Sequence, residues 1–280
     1  MQGEMSRFTD WEFLPLLSAD AATQMAIDTE MAHACEHDAP RAILRLYRMT
    51  PPAVTIGRNQ RWATVIDPDE CRRRGWEWVR RPTGGGALLH QFELNYAVAA
   101  SKDVFGDPAK ATFRPAFQQV MGGLVRAIEL LGGHPTLILG RTSADSGKHK
   151  AAHGLCEQAL TRYEISVAGK KAVAAAQWQL TGAFLQHGTI YMQAPTAADR
   201  FWPLPDKVRA SKGTDTAWWD TSGLLTDLEL ASGKLAASIR DGLAQTLNLV
   251  WTPIGLDRLN RARIDARLRD WARQNWNCIR

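Results

Sequence analysis

Arg80-Arg81-Pro82-Thr83-Gly84-Gly85-Gly86-Ala87-Leu88-Leu89-His90 is the stretch on which the reading of this chain turns. Three successive glycines strip the side chains from one turn of backbone. Main-chain N–H groups can then approach a ligand closely, and positive φ becomes accessible. Arg80 and Arg81, just upstream, are able to hold an anion or orient a carbonyl. Strand-like residues lie on both sides, Trp76-Glu77-Trp78-Val79 before the run and Leu94-Asn95-Tyr96-Ala97-Val98 after it. The glycines are therefore expected in a tight strand–turn–strand bend at the wall of a pocket. A flexible hairpin tip is the competing reading, because a glycine-rich turn by itself is weak evidence for a phosphate site.

Around this stretch the composition is that of a globular protein, 45% hydrophobic and 22% charged over 280 residues. That length buries a large core in one domain or two. No run of residues is apolar for long enough to span a bilayer. The first thirty residues carry Glu4, Asp10, Glu12, Asp20 and Asp28 without a continuous apolar segment, so no signal peptide is expected. Cys35, Cys71, Cys156 and Cys278 are scattered and form no CxxC pair. This argues against structural zinc and a disulfide framework, and for reduced thiols in the cytoplasm. The net charge of +5 suits a nucleic acid or an acidic protein partner equally well.

Working outward, Ser18 to about Glu36 has helical spacing, with Ser18 or Asp20 as cap. Short strands are expected at Ile43–Tyr47, Ala53–Ile56, Trp76–Arg81 and Leu94–Ala100. An amphipathic helix from Pro115 through Leu131 should stop at Gly132-Gly133. Thr136–Leu139 reads as a strand, and residues 140–156 as a long polar loop. Strands Arg162–Val167, Lys171–Gln179 and Ala183–Met192 then form a meander. Helices are expected at Lys234–Leu249 and Leu256–Gln274. Strands with helices mostly flanking or following them point to an α+β fold with a mixed or antiparallel sheet. The expected organisation is one catalytic domain over residues 1–280, with a core at about 38–250 and a helical C-terminal extension at about 224–280.

The residues able to carry chemistry form two groups. Cys156 closes the polar loop, beside Lys148, His149, Lys150 and His153. A lone cysteine is ordinarily a small buried hydrophobe. In a polar, basic loop, however, a nearby ammonium favours the thiolate, and Lys171 is able to supply that charge if the loop folds back over the hairpin. His90, Asn95, His187 and Gly188 are the other polar candidates. Neither histidine stands at metal-ligand spacing to the other or to a cysteine, so no bound metal is expected.

Taken together, these residues resemble the biotin/lipoate protein ligase superfamily. The glycine run is similar to its signature. The second match is Gly169-Lys170-Lys171, then Ala176-Gln177 and Leu185-Gln186-His187-Gly188-Thr189-Ile190. Cys156, with Ala159 and Tyr163-Glu164, resembles the nucleophile segment of the cysteine-dependent octanoyltransferases of lipoate assembly, and Trp276-Asn277 near the end is also similar to that branch. The resemblance implies the ligase-type α+β catalytic fold, with Cys156 as nucleophile and Lys171 beside it. It also implies a substrate pocket drawn from Arg81, Gly84, Gly85, Gly86, Ala87, Leu88, His90, Gln177, His187 and Gly188. The implied activity moves an octanoyl group from acyl carrier protein to a lysine of a lipoyl-domain protein such as glycine cleavage H protein. It needs no cofactor and involves neither nucleic acid nor membrane. The basic residues Arg258, Arg261, Arg263, Arg267 and Arg269 would suit acidic partners; a solvated helix face is the alternative. Two features depart from that pattern. Ala174-Ala175-Ala176 replaces the family's Gly-Ser-Ala, and Gly57-Arg58-Asn59-Gln60 with the uninterrupted Gly84-Gly85-Gly86-Ala87 is more like the ATP-using lipoate–protein ligases. An ATP-dependent ligase and a non-catalytic binding module are therefore the alternatives.

Overall fold

A computed structural model describes residues 10–38, 41–105, 113–139, 164–192 and 228–272. Its centre is an eight-stranded sheet. The chain enters it with β1 (Asp10–Ala19), then runs through α1 (Ala21–His37) and β2 (Ala42–Met49). A three-stranded side sheet follows, made of β3 (Ala53–Ile56), β4 (Glu77–Arg80) and β5 (Leu88–His90), with α2 (Pro68–Arg74) between β3 and β4. The chain returns to the main sheet through β6 (Glu93–Ser101), α3 (Phe113–Leu130), β7 (Pro135–Leu137), β8 (Ile165–Val167), β9 (Lys170–Gln179) and β10 (Ala183–Tyr191). It ends with α4 (Leu228–Leu247), β11 (Val250–Pro253) and α5 (Arg261–Ala272). The main-sheet order is β11-β1-β2-β6-β10-β9-β8-β7. β1 runs parallel to β2 and β11, and the other pairs are antiparallel, so the sheet is mixed as expected.

Alternation in β2 explains the layers. Ala42, Leu44 and Leu46 face the core made with α3 and α4, while Ile43, Tyr47 and Met49 face the one made with α1 and α5. β6, central and buried along its whole length, contributes to both. α1 starts where the Asp20 carboxylate accepts the N–H of Thr23 at 2.8 Å. α3 ends as expected at Gly132, whose φ of +82° is a glycine conformation. The glycines inside α3 and α4 mark a close crossing. A Cβ on Gly242 would lie 2.5 Å from the Gly123 carbonyl oxygen.

The structure differs from the sequence reading in three respects. Residues 10–19 form β1, and the helix begins at Ala21 rather than Ser18. α2 and β11 were not anticipated, being short and carrying no long apolar pattern. The third difference concerns the glycine turn. It does not close a hairpin, because β4 and β5 are not neighbours. Both pair with β3, β4 in parallel and β5 antiparallel, so the turn crosses the end of β3. The strand after the turn is Leu88–His90, and Leu94–Val98 belongs to the main sheet.

Candidate active site

The glycine turn lies against the Gly57–Gln60 turn that follows β3. Arg58 N–H donates to the Thr83 carbonyl at 2.8 Å, and a Cβ on Gly57 would stand 2.0 Å from the Gly85 oxygen. Both arginines hold this assembly from within. The Arg80 guanidinium donates to the carbonyls of Gly57, Arg58 and Gln60 at 3.0, 3.1 and 2.6 Å. Arg81 donates to the carbonyls of Gly84 at 2.7 Å, Gly86 at 2.6 Å and Thr55 at 3.1 Å. The sequence suggests that these arginines hold an anion or orient a carbonyl of a ligand. In the structure they are buried tethers that shape the turn, although Arg81 also reaches the cleft wall.

The close approach of the two turns makes a prediction. Gly57→Ala should destabilise the protein by about 1–3 kcal/mol through overpacking and displace the glycine turn from the cleft. Gly84→Ala, whose Cβ meets nothing within 4 Å, should change stability by no more than about 0.5 kcal/mol. Urea unfolding of the two variants checks this. Equal losses would mean that the contact between the turns does not set their position.

A small, partly open cleft, with about 30 Å³ of cavity volume, lies between α1, β2, the glycine turn, β9 and β10. Met25, Met49, Leu88 and Ala174-Ala175-Ala176 make an apolar lining, and Tyr47, Arg81, His90, Asn95 and His187 place polar groups on it. Gly85, at φ +94°, and Gly188 complete the wall. Gly188 is required by packing, since a Cβ there would lie 2.1 Å from the Ala174 oxygen of the neighbouring strand. Thus Arg81, Gly85, Leu88, His90, His187 and Gly188, six of the residues singled out in the sequence, line one cleft. Ala87 is instead buried in the core of the side sheet. Gln177 does not line the cleft. It is out of phase with Ala176 and Trp178, so it points to the other face of β9, where its amide is buried without a hydrogen-bond partner among the described residues.

Each histidine is fixed by a network. His90 Nδ1 lies 3.0 Å from Glu93 Oε1 and 3.1 Å from Asn95 Oδ1. Two acceptors on that side require Nδ1–H, which leaves Nε2, 2.9 Å from Thr55 Oγ1, to accept from that hydroxyl. His187 Nδ1 lies 2.8 Å from Asp28 Oδ2, and its Nε2 is 2.6 Å from Thr83 Oγ1. The imidazole thus donates to a buried carboxylate and accepts the hydroxyl that begins the glycine turn. Asp28 also receives the Tyr47 hydroxyl at 3.1 Å and faces Arg45 Nη1 at 3.3 Å. The Arg45 guanidinium covers the Tyr47 ring at 4.1 Å and bonds to the Gln24 side chain and carbonyl. The sequence reading missed Asp28, Arg45, Tyr47 and Thr83. A signal was present: Asp28 interrupts an apolar helix face, and Arg45 stands between Leu44 and Leu46 in the middle of a largely apolar strand.

Burial pushes the His187 pKa down, against the pull of Asp28. The unfolded chain takes up a proton here near pH 6.5, about the ordinary histidine value, and the folded protein only at lower pH. This part of the stability is present above that pH. It falls as pH drops, by up to about 1.4 kcal/mol per unit, until the folded imidazole also protonates. His33, also lowered by burial, adds a contribution of the same sign. The decline of the melting temperature from pH 7.5 to 5 should therefore be shallower in His187→Gln. Parallel curves would remove His187 from the pH response.

Lys171 is buried and donates to Glu164 Oε1 at 2.5 Å. The sequence offers Lys171 as the ammonium beside the thiol; the structure pairs it with Glu164, and the field of an ion pair on a neighbouring thiol is weaker than that of an isolated charge. Cys156 and the polar loop lie outside the described residues, as do Cys278 and Trp276-Asn277. Cys35 and Cys71 are buried thiols with pKa pushed up by desolvation, Cys71 to about 12. Neither is suited to act as a nucleophile. Of the C-terminal arginines, Arg261 pairs with Asp265, Arg263 lies 3.8 Å from Glu30, and Arg267 is half-buried near Glu30 and Asp270. Part of that basic face is thus neutralised within the fold.

The chain belongs to the lipoyl protein ligase A/B catalytic domain family, whose model matches residues 20–216. It is 29% identical over 274 residues to octanoyltransferase LipM of Kyrpidia tusciae, covering 95% of this chain and 98% of that one. Octanoyltransferase LipM of Carboxydothermus hydrogenoformans is 31% identical over 183 residues; the match spans 65% of each chain. Among solved structures, a putative lipoate protein ligase from T. acidophilum with bound lipoic acid superimposes with a TM-score of 0.71 at 19% identity, covering 96% of this chain and 99% of that one. Lipoate-protein ligase A bound with ATP gives 0.71 at 18% identity, covering 95% and 96%. At these identities the structural likeness establishes the fold.

Proposed function

We propose that this protein is an octanoyltransferase of protein lipoylation that works through a thioester on Cys156. The observation that carries the reading is near-full-length similarity to octanoyltransferases in a chain whose cleft is apolar where an acyl chain would lie. The acyl donor is the octanoyl thioester of acyl carrier protein. The acceptor is a lysine of a lipoyl-domain protein, for which glycine cleavage H protein is a candidate. The Cys156 thiolate attacks the thioester carbonyl, and the carrier thiolate leaves. The acceptor amine then attacks the acyl-enzyme, the C–S bond breaks, and an amide forms with release of the Cys156 thiolate and a proton. A thioester is already activated, so the sequence of steps uses no ATP. Amide N–H groups of the glycine turn are the candidate donors to the oxyanion. With Cys35 and Cys71 buried, Cys156 is the thiol that combines a polar sequence context with a match to the transferase nucleophile segment. No helix among the described residues is long and apolar enough to cross a membrane, and the cytoplasm is the proposed compartment.

Intact-mass measurement after mixing the protein with octanoyl-acyl carrier protein tests this. A single octanoyl adduct on Cys156, formed without ATP and discharged by a lipoyl domain, is the expected result. Acceptor modification only with free octanoate and ATP would replace this reading with a ligase. No modification in either mixture would leave a binding module.

A further inference from the structure

We propose that the last turns of α1 carry a divalent transition-metal site made by His33, Glu36 and His37, which takes a cation of the Zn²⁺ class. The expectation of no metal rests on His90, His187 and the cysteines, and this helical group falls outside it. His33 and His37 are four residues apart, so the helix stacks their imidazoles on one face with Glu36 beside them. The two rings are nearly parallel, at 12°, with centroids 6.3 Å apart. One ligand atom from each residue lies within 4.8 Å of the other two, and His33 Nδ1 is 3.6 Å from Glu36 Oε2. Donors about 2.0–2.1 Å from a tetrahedral ion are about 3.4 Å apart, so small side-chain rotations close the site.

Two contacts orient the donors beforehand. Glu36 Oε1 accepts the N–H groups of Thr181 at 2.9 Å and Gly182 at 3.2 Å, in the turn between β9 and β10. That fixes the carboxylate and leaves Oε2 toward His33, as supporting hydrogen bonds do around metal ligands. Trp178 stands edge-on to the His33 ring at 5.7 Å and limits its rotation. The site lies at the C-terminal end of α1, where the helix dipole favours a cation. Two imidazoles and one carboxylate suit Zn²⁺, Co²⁺, Ni²⁺ or Cu²⁺ rather than Mg²⁺ or Ca²⁺. The order His33-x-x-Glu36-His37 also occurs in a class of zinc hydrolases. Here the tie of Glu36 to the β9–β10 turn makes it a ligand rather than a base. Arg263 and Arg267, whose charges reach His33, oppose the cation and set an upper limit on affinity.

The test is calorimetric titration of the chelator-treated full chain with ZnCl₂. One site should be present that is lost in His33→Ala/His37→Ala, with Zn²⁺ binding at least tenfold weaker in each single histidine variant and about tenfold weaker in Glu36→Gln. Excess Zn²⁺ should raise the thermal midpoint of the native chain but not of the double variant, and MgCl₂ should do neither. Zinc held by other histidines or cysteines remains in the double variant and is subtracted. Identical isotherms and midpoints for the native and double-variant chains would overturn the site. If the double variant fails to fold, the exposed His37 allows His37→Ala alone to decide: unchanged Zn²⁺ affinity in that protein is equally fatal.

Discussion

Cys156→Ala is expected to form no octanoyl adduct and to transfer the acyl group slower by about 10³-fold or more, as loss of a covalent nucleophile does in other acyl-transfer enzymes. The structural reason lies in what the remaining groups can do. The described wall of the cleft offers apolar side chains, two histidines, Asn95 and the hydroxyls of Tyr47 and Thr55 committed to internal hydrogen bonds, and an arginine engaged with the carbonyls of the glycine turn. None of these is a substitute nucleophile. Cys35→Ala and Cys71→Ala remove thiols packed in the cores, so they should affect stability rather than acylation. The measurements are intact mass and single-turnover transfer, with circular dichroism to show that the fold persists. Native rates in Cys156→Ala would end the covalent mechanism.

Asp28→Asn is expected to lower stability by about 3–5 kcal/mol, the usual cost of leaving a buried charge without its partner. Asp28 is completely buried, and its carboxylate faces Arg45 on one oxygen and Tyr47 and His187 on the other. The neutral amide keeps the shape but leaves the Arg45 guanidinium uncompensated within the core. It also offers His187 Nδ1 a weaker acceptor, or a second donor. Loosening His187 releases Thr83 and, through it, the start of the glycine turn. Acyl-enzyme formation should therefore fall even where the variant is fully folded. Denaturant unfolding of Asp28→Asn, Arg45→Met and the double variant separates the terms. The double variant should be more stable than the sum of the single losses implies, because removing both charges leaves no orphan. Strict additivity, or a loss below about 1 kcal/mol for Asp28→Asn, would show that this network does not hold the site.

The glycine run, the alternation in the strands and the family-like segments at 80–96 and 156–190 were enough to determine the α+β class and most of the strands, and they singled out Gly85, His90, His187 and Gly188, which the structure places around one cleft. These are local signals. A glycine at φ +94° or a buried β-branched strand is written into its own neighbourhood. What only the tertiary structure decided depends on residues far apart in the chain. The β4–β3–β5 order places the glycine turn across the end of β3 and turns Arg80 and Arg81 from presumed ligand groups into braces for carbonyls. The same assembly brings Asp28, Arg45, Thr83 and His187, separated by up to 159 residues, into one hydrogen-bonded chain. Gln177 shows the reverse case. Its neighbourhood in sequence suggests the pocket, but the two-residue period of β9 turns it to the opposite face. A sequence states which side chains alternate or cap. Which buried charge meets which is set by strand order and by the face each strand presents, and that is settled only when the layers pack.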